Sequence, residues 1–164
     1  MLKDIEVAKF FLAKDPNRNL FNKMLVRRNG RDFYEGNARL NKYLHLAQNL
    51  YIAKEGKKLF ADDLYAYDNG AVAPNVQENF SILSAKNDVP NLDKPVQDFL
   101  NRVYRILEHA SLDELIELSH EDPEWVKKHG YYYKVDQKMD SIANAAEYKK
   151  QYQDVLKVMD RIEI

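Results

Sequence analysis

The chain has 164 residues, 45% hydrophobic and 31% charged, which suits one soluble globular domain burying roughly 70% of its unfolded surface. Its 25 lysines and arginines nearly balance 26 aspartates and glutamates, so no global field draws it to nucleic acid or an anionic membrane. With no cysteine it has no disulfide, thiol nucleophile or thiolate metal site, as fits a reducing cytosol.

Lys3, Asp4, Glu6 and Lys9 interrupt the apolar residues near the N-terminus, unlike a signal peptide, and no later run approaches a membrane span. The expected location is the cytoplasm. Asp4 can cap a first helix in which Ile5, Ala8, Phe11 and Leu12 share a face, and Asp15-Pro16 stops it. From Asn17 to Gly36 the pattern is ambiguous: Leu20, Phe21, Met24 and Leu25 suit one or two amphipathic turns, and Arg27-Arg28-Asn29-Gly30-Arg31 reads as a basic loop. Leu40, Tyr43, Leu44, Ala47, Leu50 and Tyr51 then recur at helical spacing, widened by Leu46 and Ile52, and predict a largely buried helix. Lys42, His45 and Asn49 form its narrow polar seam. Gly56 stands where a left-handed cap is needed. Leu59-Phe60 and Leu64-Tyr65-Ala66-Tyr67 read as two short strands turned by Asp62-Asp63. Asn69-Gly70 turns the chain again, and Pro74 suits the first turn of a helix carrying Val76, Phe80 and Leu83.

After a loop over 85–91, Asp93 is a cap for a long helix with Val96, Phe99, Leu100, Val103, Ile106, Leu107 and Ala110 on one face. Ser111 and Glu114 form a capping box that starts a shorter helix. Asp122-Pro123 opens another, holding Trp125, whose expected role is a core anchor. Beyond the Tyr131-Tyr132-Tyr133 loop, Asp136 or Asp140 begins a last helix with Tyr148, Tyr152, Val155, Leu156, Met159 and Ile162 on its buried side. The predicted fold is all-α, mainly helical, a single compact domain over residues 1–164 with one small β-hairpin.

Catalysis has little support. His120-Glu121-Asp122-Pro123-Glu124 superficially suggests metal ligands, but Pro123 breaks the helical face that a His-Glu-x-x-His motif needs. The chain has no Gly-x-Ser-x-Gly elbow and no Gly-rich phosphate loop. No catalytic residue, cofactor or metal is expected. A nucleic-acid contact would rest on Lys23, Arg27, Arg28, Arg31, Arg39 and Lys42, with Phe33 and Tyr34 interleaved. The balanced charge favours a solvated face there, and the same cations could instead grip an acidic protein partner.

The order Leu40-x-x-Tyr43-Leu44-x-x-Ala47-Gln48, Gly56-x-x-Leu59-Phe60, Tyr67-x-x-Gly70-x-Val72-x-Pro74-x-Val76 resembles the signature of the Panacea domain, also described as SocA-like or phage-associated. A second block, Leu115 to Trp125 with His120 and Asp122-Pro123, resembles that family's helix–His–Pro-Trp element. The family often has Gly-Pro-Val where this chain has Gly70-Ala71-Val72. The resemblance implies a non-catalytic antitoxin that binds and neutralises a toxin encoded by an adjacent gene, or an adaptor that delivers its toxin to a Clp-type protease. The alternative is a nucleic-acid-binding phage or prophage regulator using Lys23 to Lys42. A neutraliser needs a rigid surface with aromatic anchors, and Tyr67, Gly70, Val72, Pro74 and Val76 are the candidates, although the same spacing also suits a turn with valines in the core. Tyr131, Tyr132 and Tyr133 either line a groove or tether the last helix.

Overall fold

The long apolar stripe of residues 40–52 becomes the central helix of the molecule, against which most of the other described elements pack. The computed structural model describes residues 1–129 and 137–164, and the tyrosine run Tyr131, Tyr132 and Tyr133 lies outside them. Helix α1 (Asp4–Ala13) is followed by strands β1 (Leu25–Arg28) and β2 (Arg31–Tyr34), then α2 (Glu35–Glu55). Strands β3 (Tyr65–Tyr67) and β4 (Gly70–Val72) lead to two short helices, α3 (Pro74–Glu78) and α4 (Phe80–Ser84). Helices α5 (Lys94–Leu107), α6 (Leu112–His120) and α7 (Pro123–His129) come next, then β5 (Gln137–Lys138) and a 3-10 turn at Ser141–Asn144. Helices α8 (Ala145–Gln151) and α9 (Gln153–Asp160) close the chain. The described residues are 57% helical.

Mainly helical is what the sequence predicts, but the strands differ from expectation in number and place. Arg27 to Arg31 is a hairpin rather than a basic loop: Asn29 (φ 54°) and Gly30 (φ 76°) make the left-handed two-residue turn that matches strand twist. The second hairpin pairs 65–67 with 70–72, and β5 adds a third antiparallel strand on the other side of β3. Leu59-Phe60 takes no part in it. Gln48 holds that segment, its amide donating to Phe60 O (2.9 Å) and its carbonyl accepting the Leu59 N–H (2.7 Å). Phe60 bridges Leu2 instead.

Caps follow the local chemistry with two exceptions. The Ser111–Glu114 box forms in both directions, and Gly56 closes α2 at φ 72°. Asp93 occupies the N-cap position of α5 without a side-chain cap bond. Asp4 is not a cap but the first residue of α1, buried, with its Oδ1 accepting the Ile5 N–H. Asp15 ends α1 by accepting the N–H groups of Asn19, Leu20 and Phe21. The predicted last helix is broken at Tyr152, and its buried side is narrower than expected, with Val155 37% exposed.

The core is continuous from Val7, Phe11 and Phe21 through Tyr43, Leu44 and Ala47 to Phe99, Leu100 and Tyr148. Tyr43 sits at its aromatic centre, edge-on to Phe11, Phe21 and Tyr104. No helix among the described residues is long and apolar enough to cross a membrane.

Candidate functional site

β4 is an edge strand, and an edge strand buried in a fold must satisfy its free backbone groups by some means other than another strand. Here side chains do it. Lys42 Nζ donates to Ala71 O (2.8 Å), the Ala71 N–H donates to Ser119 Oγ (2.9 Å), and the Ala73 N–H donates to Asn41 Oδ1 (2.8 Å). The polar seam of α2 is therefore buried: Lys42 is 1% exposed, His45 and Asn49 not at all. Burial pushes the Lys42 amine down from the usual 10.5 to about 7.

His45 Nδ1 lies 2.7 Å from Ser119 Oγ, and His45 Nε2 donates to Asp122 Oδ2 at 2.6 Å. Asp122 also accepts from Asn49 Nδ2 (2.9 Å), the Tyr148 hydroxyl (2.7 Å) and the Glu124 N–H (2.8 Å). Burial alone would raise the Asp122 carboxyl, but the bonds from His45, Asn49 and Tyr148 hold it below the usual carboxylate range. Ser, His and Asp stand in a line that superficially matches a nucleophilic triad. All three are fully buried, and the serine oxygen already accepts the Ala71 N–H. A nucleophile must meet its substrate, so this arrangement is a polar core that ties α2, α6, α8 and β4 together.

The turn between β3 and β4 is fixed from outside as well. Trp125, 9% exposed, is sandwiched between His120 (4.1 Å) and His129 (4.4 Å), and its indole N–H donates to Tyr67 O (2.9 Å). His120 Nε2 donates to Asp68 O (2.9 Å) and His129 Nε2 lies 2.8 Å from Asp68 Oδ1. Arg31 reaches Asp68 Oδ2 at 3.2 Å. The His129 bond, with Arg31, outweighs burial and keeps the Asp68 carboxyl below its usual value. Arg31 and the pair Asn29–Asn69 (2.6 Å) lash the β1–β2 hairpin to this turn. Between hairpin, turn and the start of α2 lies a cleft of about 70 Å³, with Phe33, Ala38, Tyr67 and Val72 among its walls and Arg31, Asn37 and Asn69 beside them.

Of the five turn residues singled out in the sequence, Tyr67 and Val72 line this cleft. Gly70 is buried at φ +104°, where a Cβ would stand 2.6 Å from both Lys42 Cε and Ser119 Oγ. Pro74 is half-buried in the first turn of α3, and Val76 is fully buried. The basic candidates separate. Arg39, donating to Ala110 O, and Lys42 are buried and leave the expected patch. Arg27, Arg28 and Arg31 are paired with Asp32 (3.2 Å), Asp113 (2.7 Å) and Asp68 (3.2 Å). Sequence reasoning missed Asn41, Ser119 and Asp68 and read Asp122 as a helix start rather than the centre of a buried network; the one local signal was polar residues inside an otherwise apolar helix.

Residues 40–126, more than half of the chain, match the family described as antitoxin SocA-like, Panacea domain, and the chain belongs to that family. No curated protein and no solved structure matches it.

Proposed function

We propose, from membership in this antitoxin-like family, that the chain is a non-catalytic binder that neutralises a toxic partner protein by stoichiometric contact. The observation that carries the reading is the match itself, because residues 40–126 include most of what builds and braces the turn: α2 from Leu40 on, β3, β4, α6 and Trp125, with Asn29, Arg31 and His129 outside it. A neutraliser has to hold its contact surface rigid before the partner arrives, so that little ordering entropy is lost on binding. The turn is braced by buried hydrogen bonds on one side and the Trp125 stack on the other, and the cleft beside it offers Phe33 and Tyr67 as aromatic anchors. Tyr67, Gly70, Val72, Pro74 and Val76 act in this reading as one unit, with Tyr67 and Val72 facing the cleft, Gly70 setting the turn, Pro74 starting α3 and Val76 anchoring α3 in the core.

Ion pairing of Arg27, Arg28 and Arg31 with carboxylates weighs against the nucleic-acid alternative, since phosphate binding draws on uncompensated cations. The test is growth of cells expressing each neighbouring gene with and without this chain. Toxicity from one neighbour that this chain abolishes, with the two proteins co-purifying, is the expected result. Two harmless neighbours would remove the antitoxin reading for this chain.

A further inference from the structure

A second surface lies along α2, away from its Asn37 end. Leu46 and Leu50 on α2, Leu107 on α5, Leu118 on α6, and Val155 and Val158 on α9 line a groove of about 260 Å³ whose walls are almost wholly apolar. Leu118 and Val155 are each 37% exposed and Val158 is 52% exposed. A cavity of ~150 Å³ holds a benzene ring, so this groove has room for more than one large side chain.

One edge of the groove is acidic by helical geometry. Glu114 and Glu121 stand four residues before and three after Leu118, on the same face of α6, with Glu117 beside them. All three are exposed. Glu114 is used by the capping box, but Glu117 and Glu121 have no ion pair or side-chain hydrogen bond among the described residues. The opposite edge, on α9, carries charges of both signs in Asp154, Lys157 and Arg161.

We propose that this groove docks an amphipathic helix of another protein, with its apolar stripe in the groove and its lysines or arginines along the α6 edge. An apolar seam with free carboxylates on one side is complementary to that partner and repels an acidic one. The proposal stands whether or not the chain is an antitoxin.

The probe is a synthetic helical peptide with leucines at i, i+3, i+4 and i+7 and lysines flanking them, compared with its glutamate counterpart. Fluorescence anisotropy with the full chain should show the lysine peptide binding at least about tenfold more tightly. Val158→Asp should weaken binding about tenfold, and Glu117→Lys with Glu121→Lys should erase the preference for lysine. These positions are exposed, and circular dichroism checks that the variants stay folded. Equal binding of the two peptides, or binding unchanged by Val158→Asp, overturns the proposal. Sedimentation supplies the last arm: self-association of the wild type that Val158→Asp abolishes would make a second copy the occupant and overturn it too.

Discussion

Lys42 gives the sharpest test of the polar core. Its amine is fully buried and bonded to Ala71 O, with burial pushing it to about 7 from the usual 10.5. A base depressed in the folded state binds fewer protons there than in the unfolded chain. Stability therefore rises with pH from about 7 towards 10.5, and below about 7 the full cost of burying the ammonium is present. At about 1.4 kcal/mol per pH unit, that interval is worth up to ~5 kcal/mol, a large part of an ordinary domain's 5–15 kcal/mol. Lys42→Met removes the titration and strands Ala71 O, a pH-independent loss of about 1–3 kcal/mol. Urea unfolding at pH 6, 7, 8 and 9 separates the two effects. The wild type should gain about 1–3 kcal/mol from pH 7 to 9 relative to the variant, whatever their offset. Parallel profiles would show that Lys42 does not titrate in this window, and the account of a buried neutral amine holding β4 would fail.

Gly70→Ala should cost about 2–4 kcal/mol, because its Cβ meets Lys42 and Ser119 at 2.6 Å and the backbone is at φ +104°; Gly30→Ala, with open space at φ +76°, should cost only about 1 kcal/mol. Equal losses in thermal unfolding would deny the tight contact. Burial and the nearby Asp62 raise Asp4 from 3.8 to about 6, so its folded form holds more protons between those values and stability falls as pH rises through them. Asp4→Asn should therefore be more stable than wild type by about 1–3 kcal/mol at pH 7 and about equal at pH 3.5, and a variant no more stable at pH 7 contradicts this. Any retention on single-stranded DNA or RNA should be weak and vanish by 200 mM salt; tight binding that survives that salt would revive the nucleic-acid reading.

Much of the helical frame was legible because it depends on local periodicity. The apolar stripe of α2, the Gly56 cap and the Ser111–Glu114 box all form as their spacing demands. The strands were legible only in part: β3 forms where Leu64 to Tyr67 predicts a strand and Asn69-Gly70 turns it, but its partners and the first hairpin were missed, for two reasons. Asn29-Gly30 is a strong hairpin signal, but the arginines around it draw attention to charge rather than to turn geometry. Leu59-Phe60 has strand composition, yet its backbone partner is Gln48 and its neighbour Leu2, contacts that no local pattern encodes. The seam of Lys42, His45 and Asn49 shows the same limit. Its spacing was evident, whereas its partners Ala71, Ser119 and Asp122 lie 29 to 77 residues away.

Those distant partners also explain why the turn and the C-terminal helices belong to one mechanical unit. Asp122 is held by His45 and Asn49 from α2 and by Tyr148 from α8, while Ser119, three residues earlier, holds Ala71 beside the turn. Removing a single member leaves buried groups unpaired at several points, so its cost exceeds one hydrogen bond. A loss of partner binding in His45, Ser119 or Asp122 variants would therefore report loosening of the turn, not lost contact. Tyr67 and Phe33 differ because they are half-buried and line the cleft itself. Replacing Phe33 with alanine should leave the buried network intact and weaken a partner seated in the cleft. Rescue of growth undiminished by Phe33→Ala, in a chain of unchanged thermal stability, would place the partner elsewhere on the molecule.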